Sequence, residues 1–338
     1  MGFKRKSRGM VGLLIPGQGF QSLGMGRAEN GDALLLEEII GEAKKVVSPI
    51  FIERVRYLMF ADPSAMPAYE KEMLEQELNK ADNAQVALFL HAAALWKKYY
   101  SSGDNLIPSV VMGHSAGEPI AGYIAGSLDF ADCLRYVFTR GRLMDTANNL
   151  FKGGMIAIAP PKMEDGFNIR KLEKCLKGTK TEIANINTPR QIAISGSIEE
   201  LGWVSVRLRE KGFRVIPLER IAGAYHHSGA MVLVENGLDQ MLNSPFYKIT
   251  IKKPAIKWIF NFSGAEEDDV KKIKVYLLSQ MSNTVRWREG IEKALSMGVS
   301  EFVELGRGGL LKMLDDFPAW KKVKERTAAN KSAREAII

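Results

Sequence analysis

The sequence predicts an α/β protein with a mostly parallel central sheet and a smaller unit inserted in its second half. Three observations carry that prediction. The apolar runs VGLLIP (11–16) and IPSVVMG (107–113) each end in a glycine-containing turn, as buried strands do. Between residues 153 and 218 the patterns run strand, helix, strand, strand, helix, strand. The chain has 338 residues, 46% apolar and 25% charged, enough for a sizeable core and inconsistent with wholesale disorder.

The elements follow in order. After the strand at 11–16, helical patterns cover 33–47 and 69–79. Asp82 or Asn83 caps a helix carrying Val86, Leu88, Phe89, Leu90 and Leu95. The strand at 107–113 leads through Ser115 into a Gly/Ala-rich helix, and Asp129 or Asp132 opens another over roughly 130–149. GGMIAIAP (153–160) is a strand, 168–176 a helix, 181–197 two strands around Thr188-Pro189, 198–211 a helix and 213–218 a strand. That succession is a ferredoxin-like unit, assigned to 151–219. Helices at 228–243 and 269–281, a strand at 301–305 and a last helix return to the larger body, assigned to 11–150 and 220–318. Residues 1–10 and 319–338 are read as basic tails.

The formal charge of +8 sits in those ends, each of which contributes about +4 (the second counted over 321–338), so the body is near neutral. No zinc-finger spacing or RNA-recognition aromatic signature is present, so nucleic acid is not an expected partner. No apolar run approaches the ~18 residues of a membrane span. The stretch after MGFKRKSRGM is too short for a secretory signal, and Lys6 stands where myristoylation needs Ser or Thr. Two cysteines, Cys133 and Cys175, make neither a disulfide framework nor a zinc site by themselves, and four histidines leave no expected metal centre. The reading is a cytoplasmic protein with reduced thiols and no membrane partner.

Gly113-His114-Ser115-Ala116-Gly117 fits G-x-S-x-G between a strand and a small-residue helix, a hydrolase-like arrangement. A sharp strand-to-helix turn projects the hydroxyl into the open, and the backbone N–H of Ala116 is free to face an oxyanion. A serine nucleophile needs a base. His91 lies in an apolar helix, and His114 points away from its neighbour. His226 and His227 stand in a small-residue loop just before a helix, and spacing alone does not choose between them. The turn Pro16-Gly17-Gln18-Gly19-Phe20-Gln21 departs from G-x-G-x-x-G, so it suits a second oxyanion donor better than a dinucleotide.

Taken together, these blocks resemble the malonyl-CoA:acyl-carrier-protein transacylases of type II fatty-acid synthesis and polyketide synthases. The resemblance spans about 11–316. It rests on Pro16–Gln21, Gly113–Glu118, Arg140-Gly141-Arg142-Leu143-Met144, Asn185–Gln191, His227 with Met231, Gln280 before Val285-Arg286-Trp287, and Glu304-Leu305-Gly306. It implies Ser115 as nucleophile and His227 as general base, oriented by the backbone carbonyl of Gln280. It implies an oxyanion hole from the N–H groups of Gln18 and Ala116, and Arg140 as the partner of the malonyl carboxylate. His114, Asn187, Gln191 and His226 would line the substrate cleft. It further implies coenzyme A thioester as substrate rather than bound cofactor, a phosphopantetheinylated acyl carrier protein as partner, and a monomer. Pro119, His226 and Arg307 depart from the family pattern. The competing readings are a trans-acting polyketide acyltransferase, a carrier-protein hydrolase with the same dyad, and a non-catalytic docking module.

Overall fold

A computed structural model describes residues 9–27, 32–101, 107–161, 166–247, 249–306 and 309–325. The chain runs β1 (Met10–Ile15), α1 (Asp32–Ala43), α2 (Pro49–Phe60), α3 (Ala68–Asn79), α4 (Ala81–Ser101), β2 (Val110–Gly113), α5 (Gly117–Ile124) and α6 (Phe130–Leu150). It continues with β3 (Gly153–Ala159), α7 (Ile169–Leu176), β4 (Glu182–Thr188), β5 (Gln191–Ser197), α8 (Ile198–Glu210) and β6 (Arg214–Pro217). It closes with α9 (Ser228–Asn243), β7 (Lys257–Ile259), α10 (Val270–Ser279), α11 (Trp287–Ser296), β8 (Val299–Glu304) and α12 (Leu310–Met313).

Among the described residues two four-stranded sheets result. The first has order β7-β2-β1-β8 and is parallel throughout. Its central strands, β1 and β2, are buried on both faces, which is why they read as continuous apolar runs. The second has order β4-β5-β3-β6 and is antiparallel, the ferredoxin-like order. Here the period of two decides what faces where. Ile156, Ile158, Ile192 and Ile194 join the core under α7 and α8. The alternating Met155, Ala157 and Ala193 face a cleft toward the first sheet.

The two halves are stitched backbone to backbone. The N–H of Ile186 donates to Val285 O (2.9 Å), and the N–H of Val285 donates to Ala184 O (2.8 Å), a parallel bridge on the edge of β4. Thr188 Oγ1 also donates to Asp316 Oδ2 at 2.6 Å. The cleft wall is therefore fastened to the segment that leads into α11.

Some expectations change. Helix α4 starts at Ala81, so Asp82 and Asn83 lie inside it. The carboxylate of Asp145, on α6, caps it by accepting from the N–H groups of Ala81 (2.9 Å) and Asp82 (3.0 Å). Asp129 caps α6 through the N–H of Asp132. Helices α2 and α11 and strand β7 were not anticipated; α2 buries Phe51, Ile52, Val55, Leu58 and Met59 at helical spacing after Pro49. Residues 318–325 are helical, and Trp320 meets Phe302 at 5.4 Å between ring centres, so the packed body extends past 319. Residues 1–8, 326–338 and Arg307 lie outside the described residues. Among those described, no helix is long and apolar enough to cross a membrane, and no cluster of His, Cys, Asp and Glu could hold a metal ion.

Candidate active site

The site begins where β2 ends. A Cβ on Gly113 would lie 1.9 Å from Gly117 O, and one on Gly17 would lie 2.2 Å from His114 O. Glycine at both positions lets strand, turn and helix close on one another. Ser115, at the tip, has φ +49° and His226 has φ +60°. Among the described residues these are the only non-glycine positions with positive φ, a conformation that holds a side chain only where the surroundings enforce it. Pro119 falls in the first turn of α5, where its missing N–H would have had no helical acceptor.

The two strained residues meet. Ser115 Oγ donates to His226 Nε2 at 2.7 Å, and His226 Nδ1–H donates to Gln280 O at 2.8 Å. The carbonyl fixes the tautomer that leaves Nε2 free to accept the hydroxyl proton. Burial first, then the charge of Arg140, push the His226 pKa down to about 3. The imidazole is thus neutral and ready as a base across the physiological range.

His227, expected as the base, is committed elsewhere. It is the N-cap of α9, where Nδ1 accepts from the N–H of Ala230 at 3.2 Å. Its Nε2–H donates to Lys180 O at 2.7 Å. With both ring nitrogens engaged by backbone, it has no lone pair to offer Ser115. The expected pairing of His227 with Ser115 and with the Gln280 carbonyl is therefore corrected to His226.

Arg140, on α6, is 1% exposed. Its Nη2 donates to Gln280 Oε1 at 3.1 Å and its Nε lies 3.0 Å from Met281 Sδ, while the buried Nη1 has no acceptor among the described residues. Burial pulls its pKa down from the ordinary arginine value. A buried guanidinium with idle donors calls for an anion. Among the described residues the N–H groups of Gln18 and Ala116 have no hydrogen-bond acceptor, whereas that of Ser115 is taken by Asn261 Oδ1 at 2.8 Å. Gln18 also sends Nε2 toward Tyr225 Oη at 3.3 Å.

On the opposite wall, His114 Nε2 donates to Asn187 Oδ1 at 2.8 Å, and Asn187 Nδ2 donates to Gln191 Oε1 at 2.8 Å. His114 also packs edge-on to Trp287 at 5.2 Å, and its burial lowers its pKa. Ser115, His226, Gln18, His114, Asn187 and Gln191 all line one cleft of about 430 Å³ between the two sheets. Three residues were not singled out from sequence. Tyr225 lines the cleft. Glu118 and Asn261 sit behind the nucleophile. Glu118 stands beside G-x-S-x-G, but nothing in the sequence points to Asn261.

A serine on a strained strand-to-helix turn, a histidine held by a carbonyl and two idle backbone donors define an acyl-transferring serine enzyme with a ferredoxin-like wall. The chain belongs to the acyl transferase domain family, whose model matches residues 13–316. It is 29% identical over 300 residues to the malonyl CoA-acyl carrier protein transacylase of Salmonella typhimurium, covering 88% of this chain and 89% of that protein. It is 30% identical over 307 residues to the Bacillus subtilis transacylase of the same name, with 89% and 88% covered. Among solved structures it is similar to the malonyl-transacylase PlMCAT bound to the type II polyketide acyl-carrier protein AntF, with TM-score 0.75, 27% identity and 90% and 91% covered. The acyl carrier protein S-malonyltransferase of Vibrio cholerae gives TM-score 0.73 at 27% identity, with 93% of each chain covered.

Proposed function

We propose that this enzyme moves a malonyl group from coenzyme A to the phosphopantetheine thiol of an acyl carrier protein, through a malonyl ester on Ser115. His226 Nε2 takes the Ser115 proton as Oγ attacks the thioester carbonyl. The carbonyl oxygen becomes an oxyanion between the N–H groups of Gln18 and Ala116, donors that need no reorganisation as charge develops. The C–S bond breaks, His226 returns the proton to the departing sulfur, and coenzyme A leaves. The carrier's thiol then repeats the steps in reverse on the ester. The free carboxylate of malonate pairs with Arg140, whose planar guanidinium matches it.

The observation that carries this reading is the buried Arg140, with Nη1 unpartnered and Nη2 on the side chain of the residue whose carbonyl holds His226. It would supply the charge that an acyl chain ending in a second carboxylate needs. We read 11–150 and 220–318, with the helical 318–325 packed against it, as the catalytic body and 151–219 as the small subdomain. The reading is of a monomer, since Ser115, His226, Gln280 and Arg140 already meet within one chain.

Intact-protein mass spectrometry after mixing with malonyl-CoA, acetyl-CoA or methylmalonyl-CoA tests the reading. A malonate-sized adduct is expected, absent in Ser115→Ala. Acetyl loading as fast as malonyl loading would sink the role given to Arg140.

A further inference from the structure

Behind Ser115 lies a carboxylate that the mechanism does not use. Glu118 is completely buried and, among the described residues, makes no salt bridge. Instead it accepts from two side-chain amides and one backbone N–H. Asn261 donates to Oε1 through both its backbone N–H and its Nδ2, the latter at 2.7 Å. Gln280 Nε2 donates to Oε2 at 2.6 Å.

We propose that Glu118 is a positioning residue: its carboxylate fixes the orientation of Asn261 and Gln280, and through them sets Ser115, His226 and Arg140 together. Donor and acceptor chemistry dictates these orientations. An ionised carboxylate only accepts, so both amides must turn their NH2 groups toward it. With Nδ2 so turned, and also donating to Gly113 O at 2.6 Å, Asn261 presents Oδ1 to the N–H of Ser115. That bond holds the strained turn and directs the oxyanion role to Ala116. With Nε2 turned to Glu118 and to Ser115 O (3.1 Å), Gln280 presents Oε1 to Arg140. The same residue's carbonyl holds His226.

Put a donor where the carboxylate stands and one amide must reverse. A reversed Gln280 would press its NH2 on the guanidinium and its oxygen on Ser115 O. The charged and titratable groups facing Glu118 are Arg140 and Tyr136, both from α6, with His226 beyond Gln280. Burial, opposed by the three donated hydrogen bonds and by Arg140, sets the Glu118 pKa at about 7. Protonation of this carboxyl therefore introduces such a donor within the working range.

The proposal rests on the malonyl-transfer reading only for its substrate. Glu118→Gln keeps the shape and supplies an amide donor. Full-length wild type and Glu118→Gln are compared between pH 5.5 and 9 in two assays. One is transfer from malonyl-CoA to a pantetheine thiol. The other is covalent labelling of Ser115 by a fluorophosphonate, which needs no acyl specificity. Wild type is expected to gain activity in both assays as pH rises through about 7. Glu118→Gln is expected to fall at least about tenfold at pH 8, with KM for malonyl-CoA raised, no step near 7 and no loss of melting temperature.

A variant within twofold of wild type that keeps the step overturns the proposal. If the variant does not fold, the wild-type profile decides: a rise near pH 7 supports the role and a flat one overturns it. If Ser115 is labelled but takes no malonate, the malonyl reading falls while Glu118 is still judged by the labelling rate.

Discussion

His226 and His227 are neighbours in the chain and serve opposite halves of the molecule. The first carries its proton on Nδ1, donates it to Gln280 O and keeps Nε2 for Ser115. The second carries its proton on Nε2, donates it to Lys180 O at the foot of the small sheet and gives Nδ1 to the first turn of α9. Next to it, Glu182 of β4 takes the N–H of Ser228 at 2.8 Å. One imidazole offers a ring nitrogen to the serine and the other is a strap, and the difference lies in which ring nitrogen the backbone leaves unclaimed. Residue type and neighbourhood do not assign a catalytic histidine; the tautomer does.

That contrast can be broken by substitution. Ser115→Ala should abolish acyl loading, as followed by intact mass. His226→Ala should lower transfer by about 10²–10⁴-fold, the usual range for a lost general base. His227→Ala should stay within about fivefold in steady-state turnover, and equal losses at both positions would refute the assignment. Arg140→Ala should weaken malonyl loading by about 10²-fold or more while leaving acetyl loading far less affected, consistent with ~2–5 kcal/mol for one half of a buried charge pair.

Smaller effects sharpen the comparison in stability. The Glu118 carboxyl holds its proton to about 7 in the folded protein and to 4.5 in a free chain. Between those values the folded state binds more protons, so its contribution to stability is lost as pH rises. Relative to Glu118→Gln, wild type should lose about 3 kcal/mol across that window, measured by denaturant unfolding. His226 has the opposite sign: its pKa is depressed from 6.5 to about 3, so wild type loses stability relative to His226→Ala as pH falls below 6.5. His227→Ala should cost about 1 kcal/mol for the missing cap, which His227→Asn should restore in thermal melts.

Much of this was legible in the sequence because it is written locally. The alternating isoleucines and alanines of β3 and β5 give the two faces of the small sheet. The G-x-S-x-G turn follows from close approach at Gly113. Asp145 as the cap of α4 was not legible, since it arrives from 64 residues downstream while Asp82 stands nearer. The choice between histidines failed for the same reason. His227 has the downstream Met231 in the family's spacing, but the left-handed φ of His226 and the placement of Gln280 O depend on tertiary packing. Asn261 bonds the Ser115 N–H across 146 residues and leaves no local trace.

The backbone at Ser115 has a further consequence. A side chain held in the left-handed region costs about 1–2 kcal/mol that glycine escapes. Selection for thermostability alone would therefore drift toward glycine at 115, yielding a sturdier protein with no hydroxyl at the bend. Serine at that bend records a demand from metabolism that folding by itself would have refused.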